Sequence, residues 1–395
     1  MRFRQPVAAL ACAASVCLTF ASGPEVGAPR ALVMEAASGK VLWERNADSA
    51  TFPASTTKIM TALLLLERCR PDEVLTAPPD TEEVKESSMH LLPGERIRAR
   101  DLLVALMLRS ANDGAHAAAV HIAGSDAAFA KLMNERAREL GCEHTTFNNP
   151  HGLNDHGHKT SARDLALIAR EAMRHKEFRE VAATRKTTIE RSMNLEDRIM
   201  VSRNKWLAKD PTADGIKTGY TVPAGHCYVG SATRDGYRVI TVVLKSPDWQ
   251  EDHRRMLDWA FARHKRVLFA EPGMAVLAVP IIGGRSDSVV ATVEAPVIGM
   301  VDRDSSVRPK VRLEAAPPLH APVAKGESLG YAEFVDADGF VQRVPLVAAS
   351  DAARVPFLHR AAAGVWGATP GLTLAGLGAY VWRRKRRRCP EAPAI

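Results

Sequence analysis

The sequence predicts an α+β fold, with an antiparallel sheet flanked by helices, followed by a small all-β domain and a single C-terminal transmembrane helix. Three observations lead to this prediction. Apolar runs with helical spacing occupy residues 55–174 and lie between β-rich segments. The composition of residues 271–350 shifts towards Val, Pro and Gly with little helical period. Residues 361–382 contain no charged side chain.

The N-terminal residues have the pattern of a secretory signal peptide. Arg2 and Arg4 form a short basic start, and residues 7–20 are an apolar run too short for a stable membrane span. Small residues follow, so cleavage is expected between Ala21 and Ala28. An ordinary N-terminal core helix is the alternative, but it does not explain the basic start. We therefore expect residues 1–28 to be a signal peptide.

Residues 29–270 are expected to form the α+β domain. Its first elements are a β-hairpin of residues 31–35 and 41–45 with Gly39 at the turn, and a helix that begins near Ser55 after Pro53. Later helices are predicted at 102–108 (capped by Asp101), 115–124, 126–140, 161–174 and 254–268, and strands at 227–233 and 237–244. We expect the chain between 78 and 100 to be loop-like, and that around Lys217 to change to the period of a strand.

The remaining segments form a second domain and a membrane anchor. Residues 271–350, with a hairpin signal at 336–339, predict a small all-β domain, and residues 351–360 are a linker. The uncharged run 361–382 is roughly 33 Å long as a helix, enough to cross a bilayer. The basic tail, residues 383–395, should be cytoplasmic. The protein is then anchored in the cell membrane by a single span, and the preceding domains lie on the extracytoplasmic side. An interfacial amphipathic helix is the alternative, but residues 364–379 supply no polar face.

The charge distribution argues against nucleic acid as a partner. The formal net charge is +8, but +5 of it lies in the last thirteen residues and +1 in residues 1–28. The rest of the chain has no basic stripe interleaved with aromatic residues.

No metal, cofactor or disulfide is predicted. Outside the signal and the tail the chain has three cysteines, Cys69, Cys142 and Cys227, an odd number without paired spacing. Cys227 lies ten residues beyond Lys217, so it is either a packing cysteine, which we favour, or close to a cleft. The histidines 151, 156 and 158 are interpreted as a solvated loop rather than a metal cluster, because no carboxylate or cysteine spacing accompanies them.

Three short motifs occur in order, each near the boundary of a predicted element. They are Ser55-Thr56-Thr57-Lys58, Ser110-Ala111-Asn112 and Lys217-Thr218-Gly219, the last extended by Tyr220-Thr221. Ser55 and Lys58 are three residues apart and therefore share one face of a helix. Each motif alone is weak, since a serine often caps a helix and Lys-Thr-Gly often leads into a strand. Together and in this order they indicate a catalytic site.

The motifs and their flanks resemble the serine-type D-alanyl-D-alanine carboxypeptidases, which are low-molecular-mass penicillin-binding proteins. The resemblance covers roughly residues 30–270, through segments such as Asn149–Leu153 and Asp214–Thr221, and continues more loosely through 271–350. It implies a β-lactamase/transpeptidase-like domain. Ala111 departs from the family, where glycine is common, but Ser110 and Asn112 are intact.

The resemblance implies roles that suit amide cleavage through an acyl-enzyme. Ser55 is the nucleophile, and Lys58 is the base if its pKa falls from about 10.4, which burial and the nearby Lys217 both favour. Ser110 would relay the proton to the leaving amine, and Asn112 would fix the substrate backbone. The backbone N–H groups of Ser55 and Tyr220 would form an oxyanion hole. Lys217, Thr218 and Thr221 would bind the terminal carboxylate of the substrate. Gly219, also counted among the substrate-binding residues, lies in the same strand.

The expected function is removal of the terminal D-alanine from peptidoglycan stem pentapeptides, with β-lactams as inhibitors and no cofactor. A DD-endopeptidase, a β-lactamase and a non-catalytic cell-wall or β-lactam sensor are the alternatives. A β-lactamase is disfavoured because the sequence has no Glu-x-x-x-Asn loop to activate a deacylating water, and a sensor because Ser55, Lys58 and Lys217 are all present.

Overall fold

The computed structural model describes residues 23–85, 87–306, 308–314 and 318–355. Residues 1–22 of the expected signal peptide, the expected transmembrane helix 361–382 and the basic tail lie outside the described residues. Within the described part of the chain, no helix is long and apolar enough to span a bilayer.

The described residues form helices and strands that we number in chain order. Helices α1 to α7 are Lys58–Arg68, Ala99–Leu108, Asn112–Ala123, Asp126–Glu139, Ala162–Ala172, Lys176–Ala183 and Trp249–Arg263. Strands β1 to β10 are Arg30–Glu35, Val41–Arg45, Val74–Thr76, Arg96–Arg98, Lys186–Thr188, Ile199–Val201, Ala213–Thr221, Gly225–Arg234, Tyr237–Ser246 and His264–Ala270. Strands β11 to β17 are Leu277–Ile282, Ser288–Val293, Val297–Asp302, Lys310–Leu313, Leu319–His320, Ser328–Val335 and Val341–Ala348.

The chain divides into two compact units. Unit 1 extends to Phe269 and includes Ile298–Pro309 and Asp336–Gln342. Unit 2 comprises Ala270–Val297, Lys310–Val335 and the described residues 343–355.

Unit 1 contains a five-stranded antiparallel sheet in the order β2-β1-β9-β8-β7. Alternate residues of β1 enter different cores: Leu32 and Met34 join the core that contains α1, α2, α3 and α5, whereas Val33 joins the core on the side of α7. The predicted antiparallel sheet flanked by helices is confirmed. Strand β7 lies at one edge, beside the turn that carries Ser55.

Several predicted boundaries in unit 1 are wrong. Helix α2 begins at Ala99, two residues before the predicted cap Asp101, and α3 begins at Asn112 rather than at 115. The predicted helix 254–268 ends at Arg263, where the chain continues as β10 with alternating burial and pairs with β13. No Gly or Pro marks the end of the helix in this segment, so the sequence alone does not indicate the change to a strand. The change depends on the pairing with β13.

Unit 2 confirms the predicted all-β domain. Its six-stranded sheet has the order β14-β16-β17-β12-β11-β15. Burial alternates along β11, where Val279 and Ile281 are buried, whereas β12 and β17 each end in three consecutive buried residues, 291–293 and 346–348.

Candidate active site

Ser55 lies in a 3-10 helical turn, Ala54–Thr57, which immediately precedes α1. The hydroxyls of Thr56 and Thr57 donate to the carbonyls of Pro53 and Ala54 at 2.7 and 2.9 Å and thereby fix this turn. The expected α-helix therefore begins three residues later than Ser55, at Lys58. Because the turn continues directly into α1, the serine and the lysine still lie close together.

Lys58 is completely buried beneath Ser55. Its Nζ lies 3.3 Å from Ser55 Oγ, and it donates to Asn112 Oδ1 and to the His151 carbonyl, both at 2.6 Å. Burial, and next the positive charge of Lys217, hold the pKa of Lys58 well below its ordinary value. A neutral amine at this position can accept the hydroxyl proton of Ser55.

Lys217 is also buried, on the edge strand β7. Its Nζ donates to the Thr218 carbonyl at 2.9 Å. Burial, followed by the charge of Arg203, lowers the pKa of Lys217 to about 7. The Lys-Thr-Gly motif lies within β7 rather than at the start of the strand, because β7 begins at Ala213.

Ser110 and Asn112 lie at the junction of α2 and α3. Ser110 has a left-handed backbone with φ 64°, and among the described residues its buried Oγ has no hydrogen-bond partner. Asn112, the first residue of α3, accepts from Lys58 and donates from Nδ2 to the Lys85 carbonyl at 2.8 Å. Both the oxygen and the nitrogen of its side-chain amide are therefore bonded within the protein, and the oxygen orients Lys58.

Gly219 allows β7 to approach the Ser55 turn. A Cβ added to this glycine would lie 2.9 Å from the Ser55 backbone nitrogen and 3.1 Å from that of Thr56. Any other residue would force the strand and the turn apart. This close approach juxtaposes the N–H of Ser55 with the strand that carries Tyr220, as an oxyanion hole formed by these two residues requires.

A cleft of about 440 Å³ opens above these residues. Its lining consists of Ser55, Ser87, Ser110, Arg203, Lys205, Thr218, Gly219, Tyr220, His226, Cys227, Trp249 and Gln250. Of the predicted site residues, Ser55, Ser110, Thr218, Gly219 and Tyr220 line the cleft, while Lys58, Asn112 and Lys217 are buried. Thr221 is not part of the lining: its hydroxyl donates to Asn154 Oδ1 at 3.0 Å and accepts from the Ala224 N–H.

Sequence reasoning missed Arg203. Its guanidinium donates to Ser87 Oγ in the cleft wall, and its charge contributes to the low pKa values of both Lys217 and Lys58. It follows the short strand β6 in a polar segment, where no local pattern separates it from a surface arginine. The cleft wall also includes Trp249, which packs on Tyr228 with ring centroids 4.4 Å apart and was not anticipated either.

The prediction of a solvated histidine loop is wrong for His158. This side chain is buried, and its Nε2 lies 2.9 Å from Thr57 Oγ1 while its Nδ1 accepts from the Asn148 N–H at 3.1 Å. Burial lowers the pKa of His158 to about 4, so the ring is neutral and Nε2 carries the donated proton. His158 therefore supports the turn that holds Ser55.

Cys227 is both a packing cysteine and a residue at the cleft, the two positions that the sequence left open. It is buried, and it also lies in the lining of the cleft. Burial raises the pKa of this thiol to about 11, so at neutral pH it is not a nucleophile.

Two family models match the chain. Residues 18–248 match the model for D-alanyl-D-alanine carboxypeptidase, and residues 265–354 match the C-terminal domain of penicillin-binding protein 5. The first model covers more than half of the chain.

Curated relatives and solved structures agree with these matches. D-alanyl-D-alanine carboxypeptidase DacF of Bacillus subtilis is 28% identical over 84% of this chain and 87% of that protein. DacC of Escherichia coli, of the same descriptive name, is 31% identical over 82% and 84%. The crystal structure of penicillin binding protein 5 from Haemophilus influenzae has a TM-score of 0.71 at 26% identity, over 85% of this chain and all of that one.

The fold and the site define a serine peptidase with the penicillin-binding protein/transpeptidase fold and a C-terminal all-β domain. The family match is more specific. This chain belongs to the D-alanyl-D-alanine carboxypeptidase family.

Proposed function

We propose that this chain removes the terminal D-alanine from peptidoglycan stem pentapeptides through an acyl-enzyme on Ser55. The observation that carries the proposal is the 3.3 Å contact between Ser55 Oγ and the amine of Lys58, a buried lysine whose pKa is lowered by burial and by Lys217. The names of the relatives support the substrate, since each is a D-alanyl-D-alanine carboxypeptidase.

Acylation follows from this geometry. Ser55 Oγ attacks the carbonyl carbon of the penultimate D-alanine while its proton passes to neutral Lys58. The C–N bond breaks, and the leaving amine of the terminal D-alanine receives a proton through the Ser110 hydroxyl, whose oxygen has no partner among the described residues. The N–H groups of Ser55 and Tyr220 stabilise the oxyanion. Water then hydrolyses the ester and restores the serine.

Substrate binding is assigned to the edge strand and the cations of the cleft. Strand β7 has a neighbour on one side only, so an extended peptide can pair with its free edge. Among the described residues, the cleft lining contains Arg203 and Lys205 and no carboxylate, which favours an anionic ligand. We assign the terminal carboxylate to Lys217, the Thr218 hydroxyl and Arg203. Thr221 joins them only if its hydroxyl leaves Asn154.

The same site accounts for inhibition by β-lactams. Attack of Ser55 on the lactam carbonyl breaks a C–N bond inside a ring, so the leaving amine stays attached to the acyl group. The amine cannot diffuse away, and it occupies the space that the hydrolytic water needs. The acyl-enzyme is therefore expected to persist.

The test is release of D-alanine from a pentapeptide that ends in D-Ala-D-Ala, compared with cleavage of a cross-linked peptide dimer. We expect D-alanine from the pentapeptide, and none from Ser55→Ala. Cleavage of the dimer alone would replace the proposal with a DD-endopeptidase. Labelling by fluorescent penicillin without any cleavage would replace it with a sensor.

We also propose export and membrane anchoring, which rest on the sequence of residues 1–28 and 361–382. Val26 and Ala28 are buried in unit 1, and the N–H groups of Gly27 and Ala28 donate to Asp252 at 2.6 and 2.9 Å. These contacts favour signal cleavage before Val26, at the early end of the expected range. Mass spectrometry of the mature N-terminus tests this, and a start after Ala28 would contradict it.

The anchor is tested by fractionation of cells that express the full chain or a chain ending at residue 360. We expect the full chain in the membrane fraction and the shortened chain in the soluble extracytoplasmic fraction. The same distribution for both chains would contradict the anchor.

A further inference from the structure

Helices α1 and α3 lie side by side and run in the same direction. Their first residues meet at the active site, where Lys58 donates to Asn112 at 2.6 Å. Their far ends also meet, because Cys69 at the end of α1 lies beside His121 in the last turn of α3. At about 1.5 Å per residue, the two junctions are roughly 15 Å apart.

Three different ligand-type side chains converge at this far junction. One ligand atom each of Cys69, Glu73 and His121 lies within 4.8 Å of the other two. His121 Nε2 and Glu73 Oε1 are 2.9 Å apart, as a hydrogen-bonded pair. The cluster thus combines a sulfur, a nitrogen and an oxygen donor.

This donor set suits a divalent cation of the zinc class. Zinc takes Cys, His and carboxylate ligands at about 2.0–2.3 Å in a tetrahedron, which places the ligand atoms roughly 3.3–3.7 Å from one another. The three side chains need to move by only about 1 Å to reach these separations. A water molecule would complete the tetrahedron, because Glu73 and His121 are 28% and 30% exposed.

The backbone that carries these side chains is fixed. Cys69 N–H donates to the Leu65 carbonyl at 3.0 Å, Glu73 N–H to that of Arg70 at 2.9 Å, and Ala99 N–H to the Glu73 carbonyl at 2.8 Å. Burial raises the pKa of the Cys69 thiol to about 11, so a bound cation has to displace the thiol proton.

A second cluster with similar residue types differs from the first in having a protein cation bound to its carboxylates. Glu67, Glu171 and His175 are equally close together, but both carboxylates accept from the guanidinium of Arg136, at 2.7 and 3.4 Å. A protein cation already holds that position. At Glu73 the corresponding arginine is Arg70, whose Nε is 4.0 Å away on a side chain that is 90% exposed.

We propose that Cys69, Glu73 and His121 bind one zinc-class divalent cation, which links the ends of α1 and α3 remote from the active site. This proposal is independent of the proposed peptidase function.

The test uses the full chain with reduced thiols, titrated with Zn²⁺ by calorimetry and with Co²⁺ by absorption spectroscopy. We expect one equivalent bound, a cobalt–thiolate charge-transfer band, and a higher Tm in the presence of Zn²⁺. Cys69→Ser should remove the band, and His121→Gln, which leaves the thiol in place, should weaken binding at least tenfold. Glu171→Gln, in the second cluster, is the matched control and should bind as the parent does.

Three outcomes would overturn the proposal: no stoichiometric binding, a thiolate band that persists in Cys69→Ser, or affinity unaffected by His121→Gln. The His121→Gln variant and the parent keep the test decisive even if Cys69→Ser fails to fold.

Discussion

At the scale of single residues, the proposed chemistry depends on two buried lysines with lowered pKa values, Lys58 and Lys217. An ordinary lysine has a pKa of about 10.4 and cannot accept a proton at neutral pH. Here burial is the largest cause of the low pKa of both Lys58 and Lys217. A neighbouring positive charge lowers each pKa further: that of Lys217 acts on Lys58, and that of Arg203 acts on Lys217. Burial thus favours the role of base proposed for Lys58, and it also lowers the pKa of Lys217 to about 7.

This predicts a pH dependence of kcat/KM. Lys58 must be neutral, so activity rises with pH through its pKa, whereas Lys217 must be charged to bind the carboxylate, so activity falls above its pKa of about 7. Lys217→Arg should lower kcat/KM but remove the falling limb, because arginine stays protonated. A falling limb near pH 7 that remains in Lys217→Arg would contradict the assignment.

A second prediction concerns Gly219. The Cβ of Gly219→Ala would press on the Ser55 and Thr56 backbone nitrogens, so the turn must shift and acylation by penicillin should slow by about 10²-fold, as expected when an oxyanion donor is displaced. The control is Gly124→Ala, since Gly124 has φ 82° at the end of α3 with open space around it. That variant should lose stability without slower acylation. Equal acylation rates in both variants would refute the steric argument.

The sequence was sufficient to predict the residues of the three motifs but not their supporting contacts. Ser55, Ser110 and Gly219 are recognisable because each belongs to a short pattern of fixed spacing. Arg203 and His158 are not, because their roles arise from contacts with residues more than a hundred positions away, Ser87 and Thr57.

At the scale of elements, the buried ion pair of Arg191 and Glu95 stabilises the loop that carries Ser87 at the border of the cleft. Arg191 and Glu95 have no exposed side-chain surface and form two bonds of 2.7 Å. Arg191 also donates to the carbonyls of Met89 and His90, in the loop that begins at Ser87. The carbonyl of Ser87 in turn accepts from the N–H of Asn112 at 2.7 Å, so the ion pair is connected to the site.

Removing one partner of this pair is expected to be costly. Glu95→Gln leaves a buried guanidinium without its counter-charge and should lower the free energy of unfolding by about 3–5 kcal/mol. Adding Arg191→Met should recover part of that loss, because no uncompensated charge remains. Urea unfolding of the single and double variants measures both effects.

The matched control is Glu314→Gln, which breaks the exposed pair of Glu314 with Arg343 and should change stability very little. A Glu95→Gln variant as stable as Glu314→Gln would show that the buried pair does not hold the loop.

Element types were more predictable than element ends. The predicted start of the helix 161–174 was correct, because Ser161 caps α5 by accepting from the Asp164 N–H, an interaction local in sequence. Strands β8 and β9 are buried on both faces, so the alternation of buried and exposed residues that is typical of a half-buried sheet is largely absent from them. The short strands β5 and β6 pair with each other across a polar connection and left no periodic signal.

At the scale of the whole molecule, the site depends on long-range assembly. The turn of Ser55, the α2–α3 junction and the edge strand β7 come from three distant parts of unit 1, and they meet because the sheet buries both faces beneath helices. The order of the motifs indicated that such a site exists. The cleft itself, with its cations and its aromatic wall, could not be predicted, because its lining depends on how the helices and strands pack.

The most direct test of the account is intact-protein mass spectrometry after incubation with penicillin, followed by digestion to locate the adduct. The account predicts one covalent acyl group on the peptide that contains Ser55. It also predicts that Ser55→Ala, folded and unlabelled, releases no D-alanine from a D-Ala-D-Ala peptide. An adduct on another residue, or D-alanine release by Ser55→Ala at the parent rate, would contradict the assignment of Ser55 as the nucleophile.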